Sequence, residues 1–384
     1  MSEDIIYLDY AAATPLEPKV LLAMEPYFSD KFFNPSSPYS PAIDVRHDYE
    51  DAKKSLGRSI GATGEEIIIT AGATESINLA LKGIGGHIVT VATEHPAVLE
   101  TAKQFDHTIV GVDASGTVLL DELKSAIRQD TRLVSVSLAN NELGTIQPLR
   151  AVSEIVKNEA MSRREKGDFT PIYLHSDASQ GLGQVDVHVA RLGVDLLTLN
   201  AAKIYGPKQV GLLWAGSQVK LSPLVYGGGQ ERSLRSGTEN VAGAIGFAKA
   251  LELATEHRNY EAKRLQSLRD NMQNAVLEAF PEAVVSGHKK NRLASYLHLS
   301  FPGLDAERVL FMLEAKGIYV ATGSACAANK GTRSHALEAI GLAPEVADGS
   351  LRITLGKFSN EENCARATDL LIEAIRLEKD RAGI

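Results

Sequence analysis

Cysteine is almost missing from this chain. Only Cys326 and Cys364 occur in 384 residues, too few for a disulfide framework and in keeping with a reducing compartment. No apolar run reaches the roughly 18 residues that a membrane-spanning helix needs. Basic charge is also scarce: 40 Lys and Arg stand against 48 Asp and Glu, a net charge of −8. That balance repels phosphate backbones and anionic membrane surfaces, so direct nucleic-acid binding and membrane association are not expected. The opening Met1-Ser-Glu-Asp-Ile-Ile6 is acidic where a secretory signal is basic, and no apolar stretch follows it. A cytoplasmic protein is the expectation. Internal repeats and low-complexity segments are absent as well.

What remains is an ordinary globular composition, 44% hydrophobic and 23% charged, enough for a sizeable core without metals or cross-links. At roughly 150 residues per domain the length predicts two domains, or one large α/β unit with a smaller companion. From about residue 40 to 250, short apolar runs alternate with amphipathic stretches, the pattern of a mostly parallel sheet covered by helices. Seven strands are predicted, at Glu66–Thr70, His87–Ala92, Thr108–Val112, Leu133–Leu138, Ile172–Asp177, Leu196–Leu199 and Val210–Trp214. Helical spacing appears at Ile43–Ile60, Pro96–Phe105 and Ala151–Arg164. A break is expected near Leu251–Tyr260, followed by a smaller α+β unit with alternating runs around Leu297–Phe301 and Leu351–Leu355 and a closing helix from Glu361.

Open parallel sheets bind ligands outside the carboxyl ends of their strands, so the residues just after each strand carry the functional information. Ala71-Gly-Ala-Thr-Glu-Ser76 puts backbone amides, including those of Ala73 and Thr74, at a helix N-terminus. Two readings stand, an anion cradle or an ordinary turn with Thr74 as N-cap. His95, in Thr93-Glu-His-Pro96, is either a group held at the sheet edge or a solvated loop residue. Asp177, after a buried strand, is either a carboxylate awaiting a cationic or donor partner or a loop cap. Lys203 lies between two apolar strands, where a desolvated amine can form a Schiff base with an aldehyde; the competing reading is a surface charge. Taken together, a phosphate cradle, an aromatic cap, a carboxylate and a lysine describe a pyridoxal 5′-phosphate site, in which the acid keeps the pyridine nitrogen protonated and the ring becomes an electron sink.

At this point the sequence resembles the pyridoxal-phosphate-dependent cysteine desulfurases of fold type I, within the class V aminotransferase group. The resemblance runs nearly end to end, through Tyr7-Leu-Asp-Tyr-Ala-Ala-Ala-Thr-Pro15, Asn34-Pro-Ser-Ser37, Gly72-Ala-Thr-Glu75, Thr93-Glu-His95, Asn140-Asn-Glu142, His175-Ser-Asp-Ala-Ser-Gln180 and Lys203-Ile-Tyr-Gly-Pro-Lys208. It continues with Gly227-Gly-Gly-Gln-Glu-Arg232, Arg235-Ser-Gly-Thr-Glu239, Thr322-Gly-Ser-Ala-Cys-Ala327 and Gly349-Ser-Leu-Arg-Ile353. It implies an α/β fold of the type I transferase class: a large cofactor-binding domain over 15–255 with a mostly parallel seven-stranded sheet between helices, and a small α+β domain from 1–14 and 256–384.

The same resemblance implies roles for individual residues. Lys203 is the lysine that condenses with the cofactor, Asp177 the partner of its pyridine nitrogen, and His95 the ring that stacks on it and assists proton movement. Asn141 and Gln180 match the residues that bond the ring hydroxyl. Ala73 and Thr74 match the phosphate cradle, and Thr238 matches a residue that reaches the phosphate from a second subunit, implying a homodimer. Arg352, with Asn141, matches the group that holds the substrate carboxylate, a task suited to a planar fork of donors. Cys326, in a polar loop-like stretch, is the expected nucleophile; Cys364 shares a helical stripe with Ala367, Leu371 and Ile375 and reads as a buried small hydrophobe.

The implied activity is conversion of L-cysteine to L-alanine with sulfur held as a persulfide on Cys326. Its onward acceptor is implied to be an iron–sulfur scaffold protein or a tRNA-thiolation protein. The helix signal at Ser334 starts eight residues after Cys326, the spacing of relatives with a long catalytic loop. Three departures stand out. Asn200-Ala-Ala-Lys203 replaces the usual Ser-x-His-Lys, so Asn200 is expected to substitute as a phosphate donor. Tyr39 stands at a histidine position, and Ala294-Ser-Tyr-Leu-His298 replaces an asparagine-rich stretch near the substrate. Selenocysteine lyase and class V aminotransferase are the alternative activities, and a non-catalytic sulfur-assembly subunit is the alternative outside catalysis.

Overall fold

A computed structural model describes residues 5–322 and 333–383; the expected nucleophile Cys326 lies outside the described residues. The chain begins with β1 (Ile6–Tyr7), α1 (Pro18–Met24), α2 (Ser40–Ile60), β2 (Ile67–Thr70), α3 (Ala73–Ile84), β3 (His87–Val91), α4 (Pro96–Ala102) and β4 (His107–Val110). Next come α5 (Leu120–Ala126), β5 (Thr131–Ser135), α6 (Leu149–Glu165), β6 (Tyr173–Asp177), α7 (Val189–Leu192), β7 (Leu196–Asn200), β8 (Gly211–Ala215) and α8 (Val241–Ala279). The remainder holds β9 (Val284–Val285), β10 (Tyr296–Ser300), α9 (Ala306–Glu314), β11 (Ile318–Tyr319), α10 (His335–Ala339), α11 (Pro344–Ala347), β12 (Ser350–Thr354) and α12 (Glu361–Ala382).

All seven strands expected from the apolar runs join one sheet in the order β2-β8-β7-β6-β5-β3-β4. The pairs from β7 to β4 are parallel, and β8 alone runs against its neighbours β7 and β2. Side chains alternate between the two faces of a strand. Ile67 and Ile69 therefore join one apolar cluster and Ile68 another, as do Val89 and Ile88, and Leu197 and Leu196. Helices cover both faces, which explains why these strands read as uninterrupted apolar runs rather than as alternation.

The expected break near Leu251–Tyr260 is not found: α8 runs unbroken for 39 residues, from Val241 to Ala279. The signal that suggested a break is a change of partner. Buried positions on α8 up to Leu251 pack into the main-sheet core, and from Leu265 onward they pack into a second cluster with Leu297, Leu299, Leu351 and Ile353. Between those two points no α8 residue is buried, so the apolar stripe lapses while the helix continues.

The second cluster covers one face of a three-stranded antiparallel sheet, β12-β10-β9. The N-terminal segment belongs beside it. β1 pairs with β11, and Asp9 bridges to Thr354. From there the chain crosses to the main sheet, where Thr14 Oγ1 donates to the Ala202 carbonyl at 3.0 Å.

Candidate active site

The carboxyl ends of β3, β5, β6 and β7 share one edge of the sheet, and β2 ends there too because β8 reverses direction between it and β7. The loops leaving that edge, the N-terminal segment and β12 enclose a cavity of about 230 Å³. Its walls include Ala73, Thr74, His95, Asn141, Asp177, Gln180, Asn200, Lys203 and Arg352. Residues up to 341 positions apart in sequence, Ala11 and Arg352, thus meet at one place. Thr238 does not line it; this residue is exposed. Its loop is tied to the cavity's edge by Arg235, whose Nε donates to Glu75 Oε1 at 2.8 Å in the first turn of α3.

Lys203 closes a single 3-10 turn, Ala201–Lys203, directly after β7. Asn200 caps that turn, accepting the Ala202 amide on Oδ1 at 3.1 Å, so half of its side chain is already committed and the amide nitrogen is left as donor. The amine is half-buried and donates to the carbonyls of Ala11 and Ala12, both at 2.7 Å. It is therefore not a solvated surface charge. Tyr205, two residues on, is held at φ 63°, a left-handed conformation that costs a non-glycine residue about 1–2 kcal/mol. Its amide donates to Thr14 Oγ1 at 2.8 Å, a hydrogen bond that helps fix this conformation.

At the start of α3 the N-cap is Gly72, at φ 130°, with no side-chain cap, which corrects the reading of Thr74 as N-cap. Only glycine takes that backbone conformation readily, and a Cβ placed there would meet nothing within 4 Å. The helix thus presents uncapped amides to open space, the arrangement that holds a phosphate.

Asp177 ends β6 and accepts the Ser179 amide on Oδ1 at 2.9 Å; its Oδ2 has no hydrogen-bond partner among the described residues. Ser179 Oγ, also on the cavity wall, is buried without a partner there. His95 caps α4, with Nδ1 accepting the Ala97 amide at 3.0 Å. That bond puts the ring proton on Nε2. Burial pulls its pKa below the ordinary value; Asp177 opposes the shift, and Lys203 and His335 add to it. Neighbouring Glu94 is fully buried and pushed up to about 8 by desolvation, although Ser137 donates to it from its amide at 2.6 Å and from its hydroxyl.

Arg352 is almost fully buried. Its Nη2 donates to Asp9 Oδ1 at 2.6 Å and its Nη1 to the Asn141 carbonyl at 3.0 Å. Two of five N–H groups are thereby spent, leaving one on each terminal nitrogen for a carboxylate. Asp9 had no role assigned from the sequence; it lies in the Tyr7–Pro15 block, but nothing in its spacing pointed to an arginine 343 residues away. Gln180 is also more engaged than expected. Nε2 donates to the Ala11 carbonyl at 3.1 Å and Oε1 accepts from Tyr296 Oη at 2.6 Å. Cys364 is buried and its thiol is pushed up to about 11 by desolvation, as its stripe on α12 foretold.

An uncapped helix start, an unpartnered serine hydroxyl, a carboxylate oxygen without a donor and a half-buried lysine within one cavity fit a phosphorylated pyridine aldehyde. The family profile described as "Aminotransferase class-V" matches residues 6–366. Curated relatives include the cysteine desulfurase IscS of Dictyoglomus turgidum, 42% identical over 97% of this chain and 95% of that protein, and the cysteine desulfurase IscS of Methanosarcina thermophila, 40% identical over 97% and 92%. Among solved structures, a NifS-like protein superposes with a TM-score of 0.89 at 34% identity, covering 97% of this chain and all of that one. A structure titled "SspA in complex with cysteine" reaches 0.76 at 32% identity over 91% and 98%. Pyridoxal 5′-phosphate is the cofactor of this protein. On a profile match spanning nearly its whole length, the chain belongs to the class-V aminotransferase family.

Proposed function

We propose that this protein is a cysteine desulfurase, converting L-cysteine to L-alanine and leaving the sulfur as a persulfide on Cys326. The observation that carries this reading is the position of Arg352. A guanidinium with one N–H free on each terminal nitrogen lines the same 230 Å³ cavity as Lys203 and Asp177, so an amino acid can be held by its carboxylate beside the lysine. The relatives named cysteine desulfurase and the neighbour titled as a cysteine complex support cysteine as that amino acid.

Pyridoxal 5′-phosphate, when bound, supplies an electron sink that stabilises negative charge at the substrate α-carbon. Asp177, with Oδ2 open, would keep the pyridine nitrogen protonated, and Ser179, Asn200 and the amides at Ala73 and Thr74 would hold the phosphate. Lys203 would take the α-proton of the bound amino acid on Nζ. Its ties to the Ala11 and Ala12 carbonyls keep the amine at the cavity wall in the meantime. His95, on the cavity wall, would lie against the cofactor ring, and its Nε2–H is a proton it can give. Asn141 and Gln180, both on the cavity wall, would bond the ring hydroxyl, with Gln180 oriented by Tyr296. The Cys326 thiolate would attack the substrate sulfur, forming the S–S bond as the substrate Cβ–S bond breaks; the electron pair of that bond stays with carbon, which is protonated to complete L-alanine.

The division into 15–255 and 1–14 with 256–384 is likewise a proposal, supported by the change of buried partner along α8. A homodimer in which Thr238 serves the partner's phosphate is supported by its exposure and by the exposed Phe28, Phe32 and Tyr226. The persulfide acceptor is proposed to be an iron–sulfur scaffold or tRNA-thiolation protein. No described helix is long and apolar enough to cross a membrane; a cytoplasmic site of action is proposed from the acidic, non-signal-like start of the sequence.

The test is release of alanine and sulfide from L-cysteine under a reductant. Wild type releases both, Lys203→Ala neither, and Cys326→Ala forms no persulfide. Turnover that persists in Cys326→Ala would instead favour an aminotransferase, read as 2-oxo acid formation, or a selenocysteine lyase, read as alanine and selenide from selenocysteine; a colourless protein after added cofactor would favour a non-catalytic subunit.

A further inference from the structure

The face of the β12-β10-β9 sheet turned away from its apolar core is polar. Residues directly opposite one another in antiparallel strands share a face, as do alternate residues of one strand. Tyr296, His298 and Ser300 on β10 therefore stand with Thr354, Arg352 and Ser350 on β12. Nearly every member has a partner: Thr354 Oγ1 accepts the Ala11 amide at 2.9 Å, Tyr296 bonds Gln180, and Ser300 and Ser350 bond each other at 2.7 Å.

The middle row differs. His298 is fully buried, and neither ring nitrogen has a partner among the described residues. On one side it pairs with Arg352, whose Nε is buried and unpartnered too. On the other side the Ser286 amide donates to the His298 carbonyl at 3.1 Å, and Ser286 Oγ is a third buried orphan. Burial, then the cations Arg352 and Arg292, hold the imidazole neutral, its pKa lowered to about 3. A neutral imidazole has one acceptor and one donor nitrogen. Buried polar atoms rarely go unpaired, and these three residues carry complementary groups in one line.

We propose that His298 is a positioning residue for Arg352: it accepts the Arg352 Nε–H through one bridging water and turns its own N–H toward Ser286 Oγ. This rests on the reading of Arg352 as the substrate-carboxylate group. Asp9 and the Asn141 carbonyl fix the two terminal nitrogens; His298 fixes the third corner, so the plane of the guanidinium, and with it the direction of its two free N–H groups, is set. The consequence is specificity for an amine that bears a carboxylate.

The experiment uses holoenzyme of wild type, His298→Leu and His298→Gln, with KM and kcat for L-cysteine and dissociation constants for L-alanine and for ethylamine, which lacks the carboxylate. A hydrogen bond to a charged group corresponds to roughly a tenfold to hundredfold change. We expect His298→Leu to raise KM and the L-alanine constant at least about tenfold, with kcat within twofold and the ethylamine constant unchanged. His298→Gln, which keeps an acceptor, restores most of the loss. Equal weakening of L-alanine and ethylamine, or no weakening of either, overturns the proposal. If His298→Leu does not fold, Ser286→Ala carries the test, with a shift of roughly threefold for L-alanine only; no shift overturns it. Failure of the desulfurase reading shows separately, as wild type that binds L-alanine but releases no alanine from L-cysteine.

Discussion

Substitutions at Asn200 separate two jobs held by one side chain. Oδ1 caps the Ala201–Lys203 turn, and the amide nitrogen is the donor left for a phosphate. Asn200→Ala removes both. The cap is worth about 1 kcal/mol and the turn survives without it, because Ile204 and Gly206 donate their amides to the Ala201 carbonyl at 3.1 and 3.0 Å. Thr14 also holds the Ala202 carbonyl from its hydroxyl. Losing a donor to a charged group costs about 1.5–3 kcal/mol, roughly 10- to 150-fold in cofactor affinity. Asn200→Asp keeps the cap, since aspartate caps as well as asparagine, but it removes the donor and sets a carboxylate beside the phosphate. At about 4–5 Å and an effective dielectric near 20, that repulsion adds about 3–4 kcal/mol. Asn200→Ser can cap and donate at once. The expected order of cofactor affinity is therefore wild type and Ser, then Ala, then Asp. The order of apoprotein stability is wild type, Ser and Asp together, then Ala about 1 kcal/mol lower. Cofactor titration followed by absorbance, with urea unfolding of the apoprotein, measures both. An Asp variant that binds the cofactor as tightly as wild type, or affinities that simply follow stability, would refute the assignment of Asn200 to the phosphate.

Three further outcomes are expected. Folded His175 and His298 stay neutral down to about 3 while unfolded imidazoles protonate below 6.5, so stability falls as pH drops; Glu94 stays protonated up to about 8 but ionises above 4.5 when unfolded, so stability falls as pH rises. Two imidazoles outweigh one carboxyl below 6.5 and the carboxyl acts alone above it, placing the optimum set by these groups near pH 6.5. Glu94→Gln should remove the alkaline decline, at most about 1.4 kcal/mol per pH unit, in urea midpoints across pH; a decline that persists refutes it. Glu231 is buried against Lys53 at 3.1 Å, Tyr49 at 2.7 Å and the Ile69 amide at 2.6 Å, and starts three consecutive left-handed residues. Glu231→Ala should cost about 3–5 kcal/mol in urea unfolding, and a loss under 1 kcal/mol would show that the network carries little. Native alkylation followed by peptide mass analysis should label Cys326 and spare Cys364, whose thiol is buried and raised to about 11; equal labelling contradicts the division of roles.

The sheet was legible because each strand is buried on both faces and so stands out as an apolar run such as Ile67–Thr70 or Leu196–Asn200. That Asp177, His95 and Lys203 line one cavity was legible from their places at or just beyond strand ends, since topology alone brings those ends to one edge. The continuity of α8 was hidden because local pattern reports which face is buried, and here the burying partner changes midway. Asp9 and His298 were hidden for another reason. Each gains its meaning from a residue far along the chain, Arg352 in both cases, and no spacing rule encodes a cross-strand register or an ion pair 343 residues long. Gly72 falls between these cases: it stands in the Ala71–Ser76 block, but only its φ of 130° shows that it, and not Thr74, caps α3.

The most direct test of the central claim is borohydride reduction of the yellow holoenzyme followed by peptide mass analysis. The account predicts a reduced pyridoxyl phosphate adduct on Lys203 alone. An adduct on Lys208 or another lysine, or none on a protein that still turns over L-cysteine, would contradict it.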